Sequence, residues 1–147
     1  MVVVSNPPAI EQSVQAIEAA VGAELPEDYR RFLLRGDGGV PDRGAFSVPE
    51  GGSSVVNRFL STRRDEDYSL WERLDYLPDF VPDGLLPIAE DPGSNLVLLG
   101  VKGAYRGRVF FFYHDRPARR PIAEAEDITP LADSFAAFAD GLREEER

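Results

Sequence analysis

The spacing of apolar residues changes near residue 85, and this change constrains the fold more than any other feature of the sequence. Before it, apolar side chains recur every three or four positions, as Val14, Ile17 and Val21 do, which is the spacing of one helix face. After it come three dense apolar runs joined by glycine-bearing connections, at residues 85–89, 95–101 and 108–113. Such runs predict an antiparallel meander, so we expect an α+β protein.

Two helices are predicted in the N-terminal part of the chain. The first is expected to begin near Asn6, a good N-cap, and to end at Gly22. The second is expected to begin at Pro26 and to end at Gly36. Two acids occupy its first turn, where the helix dipole favours negative charge.

The middle of the chain gives three further predictions. A short strand is possible at residues 45–48, and residues 55–60 fit either a strand or a short helix. Residues 70–77 are predicted to form a short helix ended by Pro78. The run 109–113 does not alternate, so we expect it at the centre of the sheet with both faces covered.

A closing helix is predicted at the C-terminal end. Thr129 is expected to be its cap and Pro130 its first residue. The side of this helix opposite its apolar face carries Asp133 and Asp140. The complete prediction is a mainly antiparallel central sheet with two N-terminal helices and this closing helix.

A length of 147 residues suits about one domain, so we expect a single domain over residues 1–147, with its core at about 10–142.

Composition excludes several kinds of site. The chain has no cysteine and a single histidine, His114, which excludes disulfides, zinc–thiolate sites and metal sites built from several imidazoles. We therefore predict no cofactor and no metal. The net charge of −10 argues against nucleic acid and acidic membranes as partners. No segment approaches the ~20 apolar residues of a membrane span, so we expect a soluble cytoplasmic protein.

Charge is distributed unevenly along the C-terminal half. Residues 101–120 contain six basic residues and one acid, whereas residues 124–146 contain eight acids and one base. One interpretation is the ordinary alternation of solvated surfaces. The other is an acidic face that captures a cationic protein.

Few residues suggest catalysis. His114 and Asp115 could form a general base with its carboxylate, but adjacent strand residues point to opposite faces, so a strand-end turn is the favoured interpretation. Glu90 and Asp91 could form a carboxylate pair of the glycosidase type, but solvated turn residues are the favoured interpretation. A small hydrolase that uses His114 or these carboxylates is the least favoured hypothesis.

Two motifs precede the meander. Asp65, Glu66 and Asp67 lack the alternation and the glycine of a calcium loop, so they are interpreted as a solvated loop. Trp71 and Tyr76 could anchor a partner, but they stand beside leucines at helical spacing and are predicted to belong to the core.

The stretch from Leu25 to Leu33, with Gly38 and Gly39 after it, resembles the entry signature of the SUKH superfamily. Its members include a yeast cell-wall synthesis regulator and many bacterial immunity proteins. Later segments resemble the family in the same order, at residues 86–93, 107–115 and 134–135. Two turns depart from its pattern, at Asp37, where the family often has Asn, and at residues 92–95.

The resemblance implies a protein without catalytic groups that binds a partner. Bacterial members neutralise a cognate toxin, often a nuclease, of a polymorphic toxin system. This implies an immunity protein for a basic toxin, and the expected contact residues are acidic: Asp65, Glu66, Asp67, Asp133 and Asp140. The alternative is a regulatory or scaffold protein of the same fold without a toxin partner.

Overall fold

The computed structural model describes residues 2–49, 52–77, 81–113 and 128–144. These residues form four α-helices, seven strands and a short 3-10 turn at Gly103–Tyr105. In chain order the helices and strands are α1 (Glu11–Val21), α2 (Glu27–Arg35), β1 (Ala45–Ser47), β2 (Ser53–Val55), β3 (Arg58–Phe59), α3 (Leu70–Asp75), β4 (Leu85–Glu90), β5 (Leu96–Gly100), β6 (Val109–Phe112), β7 (Ile128–Ala132) and α4 (Phe135–Asp140).

The strands form two antiparallel sheets, which confirms the predicted α+β domain. The larger sheet has the order β3-β4-β5-β6-β7, and β1 pairs with β2 in a separate hairpin. The predicted meander is therefore β4-β5-β6. Every residue of β6 is buried, as expected, but β5 and not β6 is the middle strand. The segment 55–60, left open between strand and helix, contributes the end of β2 and all of β3.

Both faces of the large sheet are buried along β4, β5 and β6. Every residue of these strands is buried, and successive residues of a strand point to opposite faces. On one side Ile88, Val97 and Phe111 belong to the main core, which also holds the apolar faces of α1, α2 and α4. On the other side Leu98 and Phe110 belong to a smaller apolar cluster. The large sheet therefore lies between two apolar clusters.

The start of α1 differs from the prediction, whereas its end does not. The helix begins at Glu11 instead of near Asn6 and ends at Gly22, which has the expected left-handed φ of +74°. The Asn6 N–H donates to the Gly38 carbonyl at 3.2 Å, and its side-chain amide donates to the Asp37 carbonyl at 3.0 Å. These bonds use Asn6 to join the N-terminal segment to the turn after α2, so Asn6 does not cap a helix.

The turn after α2 brings the helix against the sheet. Helix α2 begins after Pro26 and ends before Gly36, as predicted. Gly38 has a φ of +75°, and a Cβ on it would lie 2.6 Å from the backbone oxygens of Phe59 and Leu60. Only glycine permits this combination of positive φ and close backbone approach.

The prediction for the start of the closing helix is wrong. Thr129 and Pro130 lie in β7, which pairs with β6, and α4 begins at Phe135 with Ser134 as its cap. Strand β7 is at the edge of the sheet, and an edge strand tolerates a proline without N–H. Asp133 consequently precedes the helix, and Asp140 is its last residue, so the two acids do not share one helix side.

Candidate protein-binding site

Asp65, Glu66 and Asp67 lie in the connection between β3 and α3. Residues 61–69, called the acidic loop below, are closed at their two ends. The Ser61 N–H donates to the Tyr68 carbonyl at 2.8 Å, and the Leu70 N–H donates to the Ser61 carbonyl at 2.8 Å. A short surface loop with its ends in contact is compact, and such loops are frequently functional.

The first half of the acidic loop is held by a buried carboxylate. Asp37, directly after α2, is 1% exposed. It accepts hydrogen bonds from the backbone N–H and the hydroxyl of Thr62, both at 2.8 Å, and from the Ser61 hydroxyl at 3.3 Å. The Arg63 guanidinium lies 3.8 Å from the same carboxylate. Charge-assisted hydrogen bonds of this kind are stronger than neutral ones, so the loop is fixed to the main core.

The second half is held by Arg73 of α3. Its guanidinium donates twice to Glu90 at the end of β4, at 2.9 and 3.0 Å, and once each to Glu72 at 2.8 Å and to the Asp67 carbonyl at 3.4 Å. The hydrogen bond to Glu90 raises the pKa of Arg73 above its usual value. One planar cation therefore joins helix, strand and loop.

Two aromatic side chains complete the support of the loop. The guanidinium of Arg58 lies 4.3 Å from the ring centre of Tyr68, and that of Arg64 lies 3.6 Å from the ring centre of Trp71. The indole N–H of Trp71 donates to the Thr62 carbonyl at 3.0 Å. Trp71 packs against the main core, in agreement with the prediction.

The prediction that Tyr76 belongs to the core is wrong. Its side chain is 78% exposed. Helix α3 ends at Asp75, and Tyr76 stands two residues after Leu74, which corresponds to a rotation of about 200° around a helix. Tyr76 therefore lies on the side of α3 that faces solvent, and the helical spacing alone predicts this position.

The structure brings together three of the five predicted contact residues. Asp65, Glu66 and Asp67 line one open depression of about 340 Å³. Asp65 and Asp67 are exposed, and Glu66 is partly buried with its carboxylate 3.6 Å from Arg63. The depression also takes in side chains from other segments, namely Asn6, Arg58 and Tyr68.

The other two predicted contact residues lie elsewhere. Asp140 lines a smaller cleft of about 140 Å³ between α2 and α4. Asp133 is exposed between β7 and α4. The five acids do not line one common depression.

The interpretation of Glu90 and Asp91 as solvated turn residues is wrong, because each is only 7% exposed. Glu90 is paired with Arg73. Asp91 accepts hydrogen bonds from the backbone N–H groups of Gly93 and Asn95, at 2.9 and 2.8 Å. Both carboxylates thus stabilise the fold at the end of β4. His114 and Asp115 lie outside the described residues.

Two negative findings apply to the described ranges. Within residues 2–49, 52–77, 81–113 and 128–144, no group of three or more histidine, aspartate or glutamate side chains is placed to hold a metal ion. In the same ranges no helix has the length and apolar character needed to cross a bilayer.

The family comparison covers the fold and the acidic loop together. The model of the SMI1 / KNR4 family (SUKH-1) matches residues 8–141. The chain belongs to the SMI1 / KNR4 family (SUKH-1). The resemblance read from the helix-entry motif is thereby confirmed. Membership of SUKH-1 is consistent with an immunity or regulatory role exercised through protein binding. A search of curated proteins gave no match.

Sequence reasoning did not find the two residues that hold the acidic loop of this SUKH-1 chain. Asp37 precedes Thr62 by 25 residues, and Arg73 precedes Glu90 by 17 residues. Neither pair has a local spacing signal. The first forms because the turn after α2 lies against the segment after β3, and the second because α3 lies beside the end of β4. The exposed position of Tyr76, in contrast, could have been predicted from helical geometry alone.

Proposed function

We propose that this SUKH-1 chain is a non-enzymatic immunity protein that binds and neutralises a basic toxin. The proposed contact is the acidic loop. The observation that carries the proposal is the exposure of Asp65 and Asp67 on a loop that Asp37 and Arg73 hold at its two ends.

A loop held in this way suits a rapid and selective binder. Because its backbone is already ordered, binding loses less conformational entropy than binding through a flexible segment would. The net charge of −10 of the whole chain attracts a basic partner during diffusion, and the exposed carboxylates of Asp65 and Asp67 offer it contacts on the loop. A nuclease is the toxin class that fits best, because nucleases need basic surfaces for their own substrates.

The two described carboxylates of the hydrolase hypothesis have structural partners. Glu90 is paired with Arg73, and Asp91 holds the turn that follows β4. These hydrogen bonds occupy oxygens of both carboxylates, and each residue is only 7% exposed, so neither group is presented to a substrate in solvent. This favours binding over hydrolysis.

The first test uses the genes that flank the gene of this chain. The proposal expects a large secreted protein with a variable C-terminal domain to be encoded there. That domain should arrest growth when expressed alone, and coexpression of this chain should restore growth. Binding of the domain without any inhibited activity would favour the regulatory alternative, and the absence of binding would contradict the proposal.

The second test locates the contact. In the variant D65N/E66Q/D67N we expect affinity for the toxin domain to fall by about tenfold or more, the loss typical of a charged contact region. The matched control is D133N/D140N, which neutralises the two predicted acids outside the acidic loop. An unchanged affinity of the loop variant, or a larger loss in the control, would place the contact elsewhere.

A further inference from the structure

A groove runs beside α3, next to the acidic loop. It has a volume of about 430 Å³ and includes Glu72, Arg73 and Tyr76 from the helix side and Ser94 and Leu96 from the sheet side. This volume lies within the range of ligand pockets, roughly 300–1,000 Å³. Arg73 also donates to the Asp67 carbonyl, so the groove and the acidic loop are parts of one continuous surface. The 430 Å³ depression alone is called the α3 groove below.

Tyr76 is the most exposed large apolar side chain among the described residues, at 78%. The neighbouring aromatic rings of Tyr68 and Trp71 each have a guanidinium within 4.3 and 3.6 Å of their centres. No cation lies over the ring of Tyr76 in the part of the chain that the structure describes. An exposed tyrosine face attracts arginine, which stacks on aromatic rings more often than lysine does.

The charges in the α3 groove favour a cation as well. Two carboxylates, Glu72 and Glu90, and one guanidinium, Arg73, line it. Glu90 already accepts two hydrogen bonds from Arg73, which neutralises that guanidinium. Glu72 is 51% exposed beside Arg73, and a carboxylate has about four acceptor positions. Glu72 can therefore accept from a second guanidinium that enters from solvent.

The apolar part of the groove suits the stem of a long side chain. Leu96, which is 9% exposed, and Phe112, which is 1% exposed, line this part, and the exposed ring of Tyr76 adds apolar surface to it. Arginine places its methylene groups on apolar surface and its charged end at a polar rim. The groove offers these two environments in adjacent positions.

We propose that the α3 groove receives an arginine side chain of the partner, with its guanidinium over the Tyr76 ring and against the Glu72 carboxylate. The inference rests on the proposed function for the existence of a basic partner. Beyond that function, the inference names Tyr76 as the anchoring residue and a guanidinium as the group that it binds. Tyrosine and arginine are both enriched among the residues that dominate binding energy in protein interfaces.

The direct test is an NMR titration of the full-length chain with N-acetyl-L-arginine amide. We expect saturable shifts of the backbone amides at residues 72–76 and 94–96. The neutral isostere N-acetyl-L-citrulline amide should cause no such shifts, because it lacks the charge that the ring and the carboxylate attract. Equal shifts with citrulline, or shifts confined to other parts of the chain, would overturn the proposal. Stronger binding of N-acetyl-L-lysine amide would overturn the choice of arginine.

Variants separate a specific contact from general charge attraction. Y76A should weaken binding of the arginine amide by about fivefold, whereas Y76F should leave it nearly unchanged, because the ring face is retained. E72Q should also weaken binding. Its matched control is E27Q, which alters an exposed helical glutamate that is paired with Arg31 and lies outside the groove. Equal affinity of Y76A and the wild type would contradict the inference.

The same variants distinguish this inference from the proposed function. If Y76A binds the toxin domain as tightly as the wild type while D65N/E66Q/D67N does not, the groove inference fails and the proposed function stands. If the arginine amide binds at the groove but no toxin domain binds the chain, the proposed function fails and the groove remains an arginine site.

Discussion

Tyr29 shows how strongly burial can change the pKa of a side chain. It is fully buried between α2 and α4, and its ring centre lies 5.1 Å from that of Phe135. Its hydroxyl has no hydrogen-bond partner among the described residues. Burial, and to a lesser extent the charge of Asp37, raises the pKa of Tyr29 far above its usual value.

The first prediction concerns the variant Y29F. Removing an unsatisfied buried hydroxyl while keeping the ring should raise the free energy of unfolding by about 1 kcal/mol. The wild type should lose stability above about pH 10, because tyrosine ionises there in the unfolded chain but not in the folded one. Y29F should lose less over this pH range. Urea denaturation between neutral and alkaline pH measures both effects, with Y76F, at the 78% exposed tyrosine, as the matched control.

The second prediction concerns Asp37. D37A should lower the free energy of unfolding by about 3 kcal/mol, because it leaves the Thr62 N–H and hydroxyl buried without an acceptor. The control D83A removes an aspartate whose side chain is 90% exposed, and it should change stability by less than about 0.5 kcal/mol. Equal effects of the two variants in urea denaturation would show that Asp37 does not hold the loop.

At the scale of elements, the strongest local patterns predicted the fold correctly. Helix α2 has a proline at its start, acids in its first turn and a glycine after its end. The strands β4, β5 and β6 are dense apolar runs between turns. In both cases local preference and tertiary packing favour the same structure, which makes prediction reliable.

Predictions failed where one local signal fits two structures. The pair Thr129 and Pro130 is typical of a helix start, but it is also acceptable in an edge strand. Pairing with β6 decided for the strand. The acidic loop shows a different limit of prediction. The charges of Asp65 and its neighbours are visible in the sequence, whereas Asp37 and Arg73, which hold the loop, come next to it only in the fold.

The third prediction concerns Arg73, which joins three elements. R73A should lower the free energy of unfolding by about 3 kcal/mol, because Glu90 is left buried without its partner. It should also speed amide hydrogen exchange at residues 65–69, since the loop loses the bond to the Asp67 carbonyl. The control R31A removes an exposed i,i+4 pair with Glu27 and should cost less than about 0.5 kcal/mol. Unchanged exchange in R73A would contradict the role given to Arg73.

For the whole molecule, net charge and local structure act at different stages of binding. The overall charge of −10 attracts a basic protein over a distance that salt shortens. The acidic loop and the α3 groove then determine where the partner is held. Long-range attraction should therefore appear in the association rate, and loss of the anchoring contacts in the dissociation rate.

The most direct measurement is the association rate of the chain with the toxin domain at two salt concentrations. Between about 0.01 and 0.15 M salt the Debye length falls from about 30 to 8 Å. The association rate of the wild type should therefore be lower by a factor of about ten or more at the higher salt concentration. D65N/E66Q/D67N should associate more slowly at low salt and depend less on salt. D65N/E66Q/D67N should also dissociate faster, because it lacks the anchoring contacts. Identical association and dissociation rates for the two proteins at both salt concentrations would contradict the claim that the acidic loop binds the partner.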